Sequence, residues 1–156
     1  MLHSYTNALA NEKDGSLVIA RGSGVYVTDA SGKNYIEGIS GLWCTALGFG
    51  NERLAETAAR QIRDLSFYHG FNQKSYTPQI ELAERSLALA PVPMFKVFLA
   101  NSGSEANDTV FKLIWYRSNA MGTPEKKKII GRVKGYHGVT IAVASATGGT
   151  HQPSGI

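Results

Sequence analysis

At 156 residues the chain is long enough for one domain with a real core, or for a piece of something larger. Its composition, 43% hydrophobic and 18% charged, is that of a soluble globular protein; it excludes general disorder, and no apolar run approaches membrane-spanning length. The net charge of +4 favours an anionic ligand but is too diffuse to argue for nucleic acid, while the single cysteine, Cys44, excludes an internal disulfide framework and suits a reducing cytosol.

In chain order, Met1-Leu2-His3-Ser4-Tyr5 does not open a signal peptide, and residues 1–16 are polar without periodicity, an irregular lead-in. Gly24–Thr28, Asp29–Lys33 and Asn34–Glu37 read as strand, turn and strand of a β-hairpin. Residues 38–51 mix Gly38, Gly41, Gly48 and Gly50 with Ile39, Leu42, Trp43 and Phe49, which predicts a loop pressed against something rather than a flexible linker. Asn51 is placed to cap a helix whose apolar stripe is Leu54, Ala55, Ala58, Ala59, Ile62 and Leu65. An aromatic loop, 66–76, follows. Thr77 as N-cap and Pro78 at the first helical position then open a helix that Pro91 ends.

The rest alternates strand and helix: a strand over 96–100, a helix over 104–119, a strand over 128–133, a Gly135-Tyr136-His137-Gly138 turn and a short element over 140–146. Strand–helix–strand with short connections predicts an α/β fold with a parallel sheet. Two strands alone leave that sheet incomplete, and residues 148–156 are turn chemistry that leads nowhere, so the sequence reads as cut off inside a domain. Lys126-Lys127-Lys128 follows Gly122-Thr123-Pro124-Glu125 and reads as a solvated connection.

The most informative stretch is Asn101-Ser102-Gly103-Ser104-Glu105-Ala106-Asn107-Asp108. A strand that turns through Ser-Gly-Ser into a helix offers free backbone N–H groups, two hydroxyls and the positive end of a helix dipole, which together suit a phosphate dianion. The same residues, Ser102-x-x-Glu105, also form a capping box that needs no ligand. Tyr136 lies at the carboxyl end of a strand, where ligands of open α/β sheets bind, and is either a stacking platform for a flat heterocycle or a packing tyrosine. His137 is either a proton carrier or a structural histidine. His3, His69, His137 and His151 are scattered without metal-ligand spacing, and neither a nucleophile elbow nor a nucleotide-binding glycine motif occurs.

The stretch 101–108, together with Gly135–Thr140 and Gly24–Gly32, resembles class III aminotransferases, pyridoxal-phosphate enzymes of fold type I. Gly41-Leu42-Trp43-Cys44 and Phe67-Tyr68-His69 look most like the omega-amino-acid and amine:pyruvate branch. The resemblance covers nearly the whole chain but only the N-terminal third or so of a family member. It implies that Gly103 and Ser104 hold the cofactor phosphate with Ser102 adjacent, and that Tyr136 stacks on the pyridine ring. By the same resemblance, Trp43, Phe71 and Tyr136 wall the substrate pocket, and the site forms at a homodimer interface.

The resemblance also implies a cofactor-linked lysine and an aspartate facing the pyridinium nitrogen, both beyond residue 156; Lys112 and Lys134 do not lie in a matching context. The expectation is therefore the leading part of a cytoplasmic aminotransferase that moves an amino group from an amine or omega-amino acid to a keto acid, without nucleic-acid or membrane partners. Residues 1–55 would belong to its small part and 56–156 would begin the large cofactor domain. The chain alone would carry no catalytic residue and be inactive. The alternative is a non-catalytic remnant, at best a partial phosphate-binding or dimerisation module.

Overall fold

A hairpin closed by Asp29 organises the first of two units into which the chain divides, Met1–Phe71 and Asn72–Ile156. The computed structural model describes residues 3, 4 and 6–148. In the first unit, β1 (Ile19–Ser23), β2 (Tyr26–Asp29) and β3 (Asn34–Ile36) form an antiparallel sheet in the order β1-β2-β3. Ile19 faces Asp29 and Ser23 faces Tyr26 on one side of β2, while Tyr26 faces Ile36 on the other, with an irregularity between Ile19 and Arg21. The hairpin forms where the Asp/Ser/Gly turn places it; β1 joins it as a third strand that the sequence pattern did not announce.

Asp29 explains why the turn is rigid. Its Oδ1 accepts from Ser31 N–H at 2.9 Å, Ser31 Oγ at 2.6 Å and Lys33 N–H at 2.9 Å, and its Oδ2 accepts from Tyr35 Oη at 2.8 Å. These bonds favour the ionised carboxylate, those from the Ser31 and Tyr35 side chains most, and hold its pKa at about 2. The hydrogen bond that Tyr35 donates to Asp29, with desolvation and the Asp29 charge adding to it, raises the pKa of Tyr35 in turn.

The lead-in is not irregular throughout: Ala8–Asp14 is a helix, α1. Asn7 caps it by accepting from Ala10 N–H at 3.1 Å, a local signal that outweighs the missing apolar period. Residues 40–43 make a single turn, α2 (Ser40–Trp43), of the opposite hand, with positive φ throughout. The loop around it is anchored as the glycines predict, because a Cβ at Gly22 would lie 2.7 Å from the Phe49 ring. Helix α3 (Glu52–Asp64) starts at Asn51, whose side chain accepts from Leu54 N–H at 3.1 Å.

In the second unit, α4 (Thr77–Ala88) begins one residue earlier than the sequence pattern places it. Tyr76 is the N-cap, without a side-chain bond, and Thr77 and Pro78 both lie in the first turn, where the missing proline N–H is harmless. Helix α5 (Gly103–Ala120) follows the N-cap Ser102, and α6 (Ile141–Ala146) packs against it.

The α/β class stands, but the parallel ladder does not form among the described residues. Segments 96–100 and 128–133 carry no strand pairing, and the sheet present is the antiparallel one in the first unit. A strand exists only with a hydrogen-bonding neighbour, and these two segments do not pair with each other; succession in sequence was a poor guide to adjacency in a sheet. The buried apolar side chains among the described residues are Val27 and Val143, and the α3 stripe at Leu54, Ile62 and Leu65 is exposed. The Lys126–Lys128 run is not simply solvated either. Lys127 donates from Nζ to the Trp115 carbonyl at 3.1 Å and to Asn119 Oδ1, while Trp115 Nε1 donates to the Lys127 carbonyl at 2.9 Å. The turn-like residues 149–156 lie outside the described residues.

Candidate functional site

The start of α5 makes the Ser102 half of the capping box, while the Glu105 carboxylate reaches one residue past the N-cap, to Asn101. Ser102 Oγ accepts from Glu105 N–H at 3.2 Å, and Glu105 Oε2 reaches back to Asn101 N–H at 2.9 Å. That arrangement satisfies the N–H groups of residues 101 and 105. The N–H groups of Gly103 and Ser104, the first two of the helix, have no acceptor among the described residues. Gly103 has ordinary helical backbone, not a left-handed one, and a Cβ there would meet nothing within 4 Å. Its lack of a side chain therefore serves neither the turn nor any packing seen in this unit; it leaves the helix start open.

The Tyr-His turn is pinned onto this same helix start. Ser104 Oγ accepts from Val139 N–H at 3.0 Å, which leaves the serine proton free to donate. One turn further along α5, Asn107 Nδ2 donates to the His137 carbonyl at 2.7 Å. From the other side, Thr147 Oγ1 accepts from His137 N–H at 3.0 Å and donates to the Gly138 carbonyl at 3.0 Å. Gly138 is buried with φ of 133°, and a Cβ there would lie 2.5 Å from Ser104 Oγ. Only glycine allows this approach.

The structure thus brings Ser104 against residues 137–139 and sets Tyr136 next to them in the chain. Tyr136 is 68% exposed and its ring has no aromatic partner among the described residues, so it is not packed away as a core tyrosine. His137 is held by its backbone, which favours the structural reading. Buried Asp108 Oδ1 and Thr140 Oγ1, each one residue from this set of bonds, have no hydrogen-bond partner among the described residues. Trp43 and Phe71 belong to the first unit, with 85% and 76% of their surface exposed. Sequence reading missed Asn107, Gly138 and Thr147. The only hint was Gly135-x-x-Gly138, since nothing local foretells a bond across thirty residues.

These residues fit a phosphate: two unpaired backbone N–H groups at a helix start, a hydroxyl with its proton free, and an open approach over Gly103. The family profile of class-III aminotransferases matches residues 8–154, and the chain belongs to that family. Vanillin aminotransferase of Capsicum annuum is 50% identical over 149 residues, 95% of this chain and 32% of that protein. Mitochondrial gamma-aminobutyrate transaminase 1 of Oryza sativa subsp. indica is 46% identical over 149 residues, 95% and 29% respectively. Among solved structures, the omega transaminase of Pseudomonas jessenii in complex with PMP superposes with a TM-score of 0.93 at 58% identity, over 95% of this chain and 33% of that one. The PMP-bound aminotransferase of Vibrio fluvialis gives 0.91 at 36% identity, over 96% and 33%. The chain therefore spans about a third of the length of these relatives. Enzymes of this family are pyridoxal-phosphate-dependent, and no helix among the described residues is long and apolar enough to cross a membrane.

Proposed function

We propose that these residues form the leading part of an omega-type aminotransferase that moves an amino group from an amine or omega-amino acid to a keto acid. The observation that carries this reading is the pinning of the Tyr136–Val139 turn to the open start of α5 through Ser104 and Asn107. Gly103 and Ser104 would hold the cofactor phosphate through their N–H groups and the Ser104 hydroxyl, with Ser102 adjacent as the cap that fixes their direction. Tyr136 would offer its exposed ring to the pyridine. Bound there, the cofactor supplies an electron sink for proton removal from the amine carbon. This chain's contribution is to bind and orient it.

Trp43, Phe71 and Tyr136 would wall the amine pocket. Two matched structures are thermostable omega transaminase variants engineered for asymmetric synthesis of enantiopure bulky amines, and both replace a tryptophan. This chain has two, and Trp115 is half-buried and bonded to Lys127, which points to Trp43 as the pocket residue. Residues 1–55 would belong to the small part of the subunit and 56–156 would begin the large cofactor domain, in a cytoplasmic homodimer. No lysine of this chain is assigned the covalent link to the cofactor, so the 156 residues alone would not turn over substrate.

The test is binding of pyridoxamine 5′-phosphate, which has no aldehyde to react with surface lysines, to the full-length protein. Saturable binding that weakens when Ser104 becomes alanine is the expected result. Binding that ignores Ser104 would leave the start of α5 a plain capped helix.

A further inference from the structure

The turn that carries Trp43 has a brace of its own. Ser40, Gly41, Leu42 and Trp43 have φ of 51°, 60°, 65° and 73°. Three of the four are not glycine, and each occupies a region that L-residues avoid because Cβ crowds the following carbonyl. Such a run persists only where its surroundings over-determine it. Here the determinant is Glu37, just past β3. One carboxylate oxygen accepts from Ile39 N–H at 2.9 Å and the other from Gly41 N–H.

The base of the loop is fixed on both sides. Glu37 N–H donates to the Val25 carbonyl at 2.9 Å, and Gly24 and Phe49 exchange backbone bonds of 2.9 and 2.8 Å, so residues 38–48 spring from adjacent sheet residues. Inside the loop, Cys44 Sγ donates to the Gly41 carbonyl at 2.9 Å and Thr45 N–H to the Ser40 carbonyl at 2.8 Å. A Cβ at position 41 would lie 2.6 Å from Thr45 Oγ1, so the one glycine in the run cannot be replaced without displacing that hydroxyl.

We infer that Glu37 is a positioning residue for Trp43. Its two-pronged carboxylate holds the left-handed turn, the turn presents the exposed indole, and the placement of the indole sets the room left for the amine donor. This rests on the pocket role proposed for Trp43.

The experiment has two arms in the full-length protein. In the first, the protein is labelled with 5-fluorotryptophan and the Trp43 fluorine signal is assigned by W43F. Glu37→Gln keeps the length but leaves a single acceptor oxygen, and Glu37→Ala removes both. The Trp43 signal should move part-way toward its unfolded position in the first variant and further in the second, while the Trp115 signal stays. An unmoved Trp43 signal, or both signals moving together, would overturn the inference.

The second arm compares kcat/KM for a bulky aryl amine with that for a small aliphatic amine. Glu37→Ala should shift this ratio about tenfold in the direction of Trp43→Ala, the scale on which apolar pockets discriminate, with no further shift in the double variant. A shift with Trp43→Ala and none with Glu37→Ala contradicts the role of Glu37. No shift with Trp43→Ala faults the pocket assignment instead, and the fluorine signal then decides the brace by itself.

Discussion

The side-chain amide of Asn107 donates to the backbone carbonyl of His137 at 2.7 Å, joining one helix face to a turn thirty residues away. With the bond from Val139 to Ser104, it makes the Tyr-His turn an extension of the start of α5. The two parts of the proposed cofactor site are therefore bonded directly to each other.

Asn107→Ala should release that turn. The His137 carbonyl loses its donor at a half-buried position, at a cost of about 1–3 kcal/mol. Gly138→Ala should do similar damage by a different route, because its Cβ would sit 2.5 Å from Ser104 Oγ on backbone with φ of 133°. Hydrogen exchange at the amides of residues 137–139 measures both: exchange should quicken there in each variant and remain unchanged in α3.

Acid should loosen the hairpin late. The folded-state pKa of Asp29 is about 2, below the usual value of 3.8, so its contribution is present above pH ~4 and is lost as pH falls through about 2. Tyr35 has the opposite sign: its pKa is raised, so its contribution is complete below its unfolded pKa and is lost as pH rises through the folded one. Asp29→Asn should remove the acid-side dependence. An NMR titration of the Asp29 carboxyl carbon that gave an ordinary midpoint would contradict the bond count at the turn.

The aromatic residues should separate by role. Tyr136→Phe keeps a stacking face and should retain the cofactor almost normally with a modest fall in turnover. Tyr136→Ala should weaken cofactor binding by about 1–3 kcal/mol. Trp43→Ala should leave cofactor affinity alone and shift donor preference toward bulkier amines. Cofactor dissociation constants and donor profiles check this, and equal cofactor loss in all three variants would mean these side chains only support the fold.

Val27 and Val143 are the buried apolar side chains among the described residues, while Phe98, Leu99 and Ile130 are exposed. Expressed alone, the 156 residues should aggregate or form a strongly oligomeric state. Light scattering and a thermal melt are the check: a monodisperse monomer with a sharp two-state transition would contradict this.

Local chemistry was legible in the sequence. Asn51, the Asp29–Lys33 turn and the Ser102-x-x-Glu105 box act within four residues, and each stands where its residue types place it. The resemblance through residues 101–108 and 135–140 also identified the family. Long-range pairing was not legible. The strands expected at 96–100 and 128–133 needed hydrogen-bonding neighbours that no local pattern names, and Asn107, Gly138 and Thr147 act only through contacts the fold creates. The left-handed turn at Ser40–Trp43 was hidden for a different reason: three of its residues have side chains that disfavour it, and the carboxylate that enforces it lies before the turn.

The most direct measurement is the affinity of the full-length protein for pyridoxamine 5′-phosphate in Gly103→Ala, read beside thermal stability. Position 103 is helical and open, so alanine should fold at least as well, gaining up to about 1 kcal/mol of helix propensity. A phosphate held over that position would meet the new methyl group, and binding should weaken tenfold or more, on the order of 1.4 kcal/mol. Ser104→Ala should lose about 1.5–3 kcal/mol through the charge-assisted hydroxyl bond. A Gly103→Ala protein that is stable and binds with unchanged affinity would contradict the phosphate site at the start of α5.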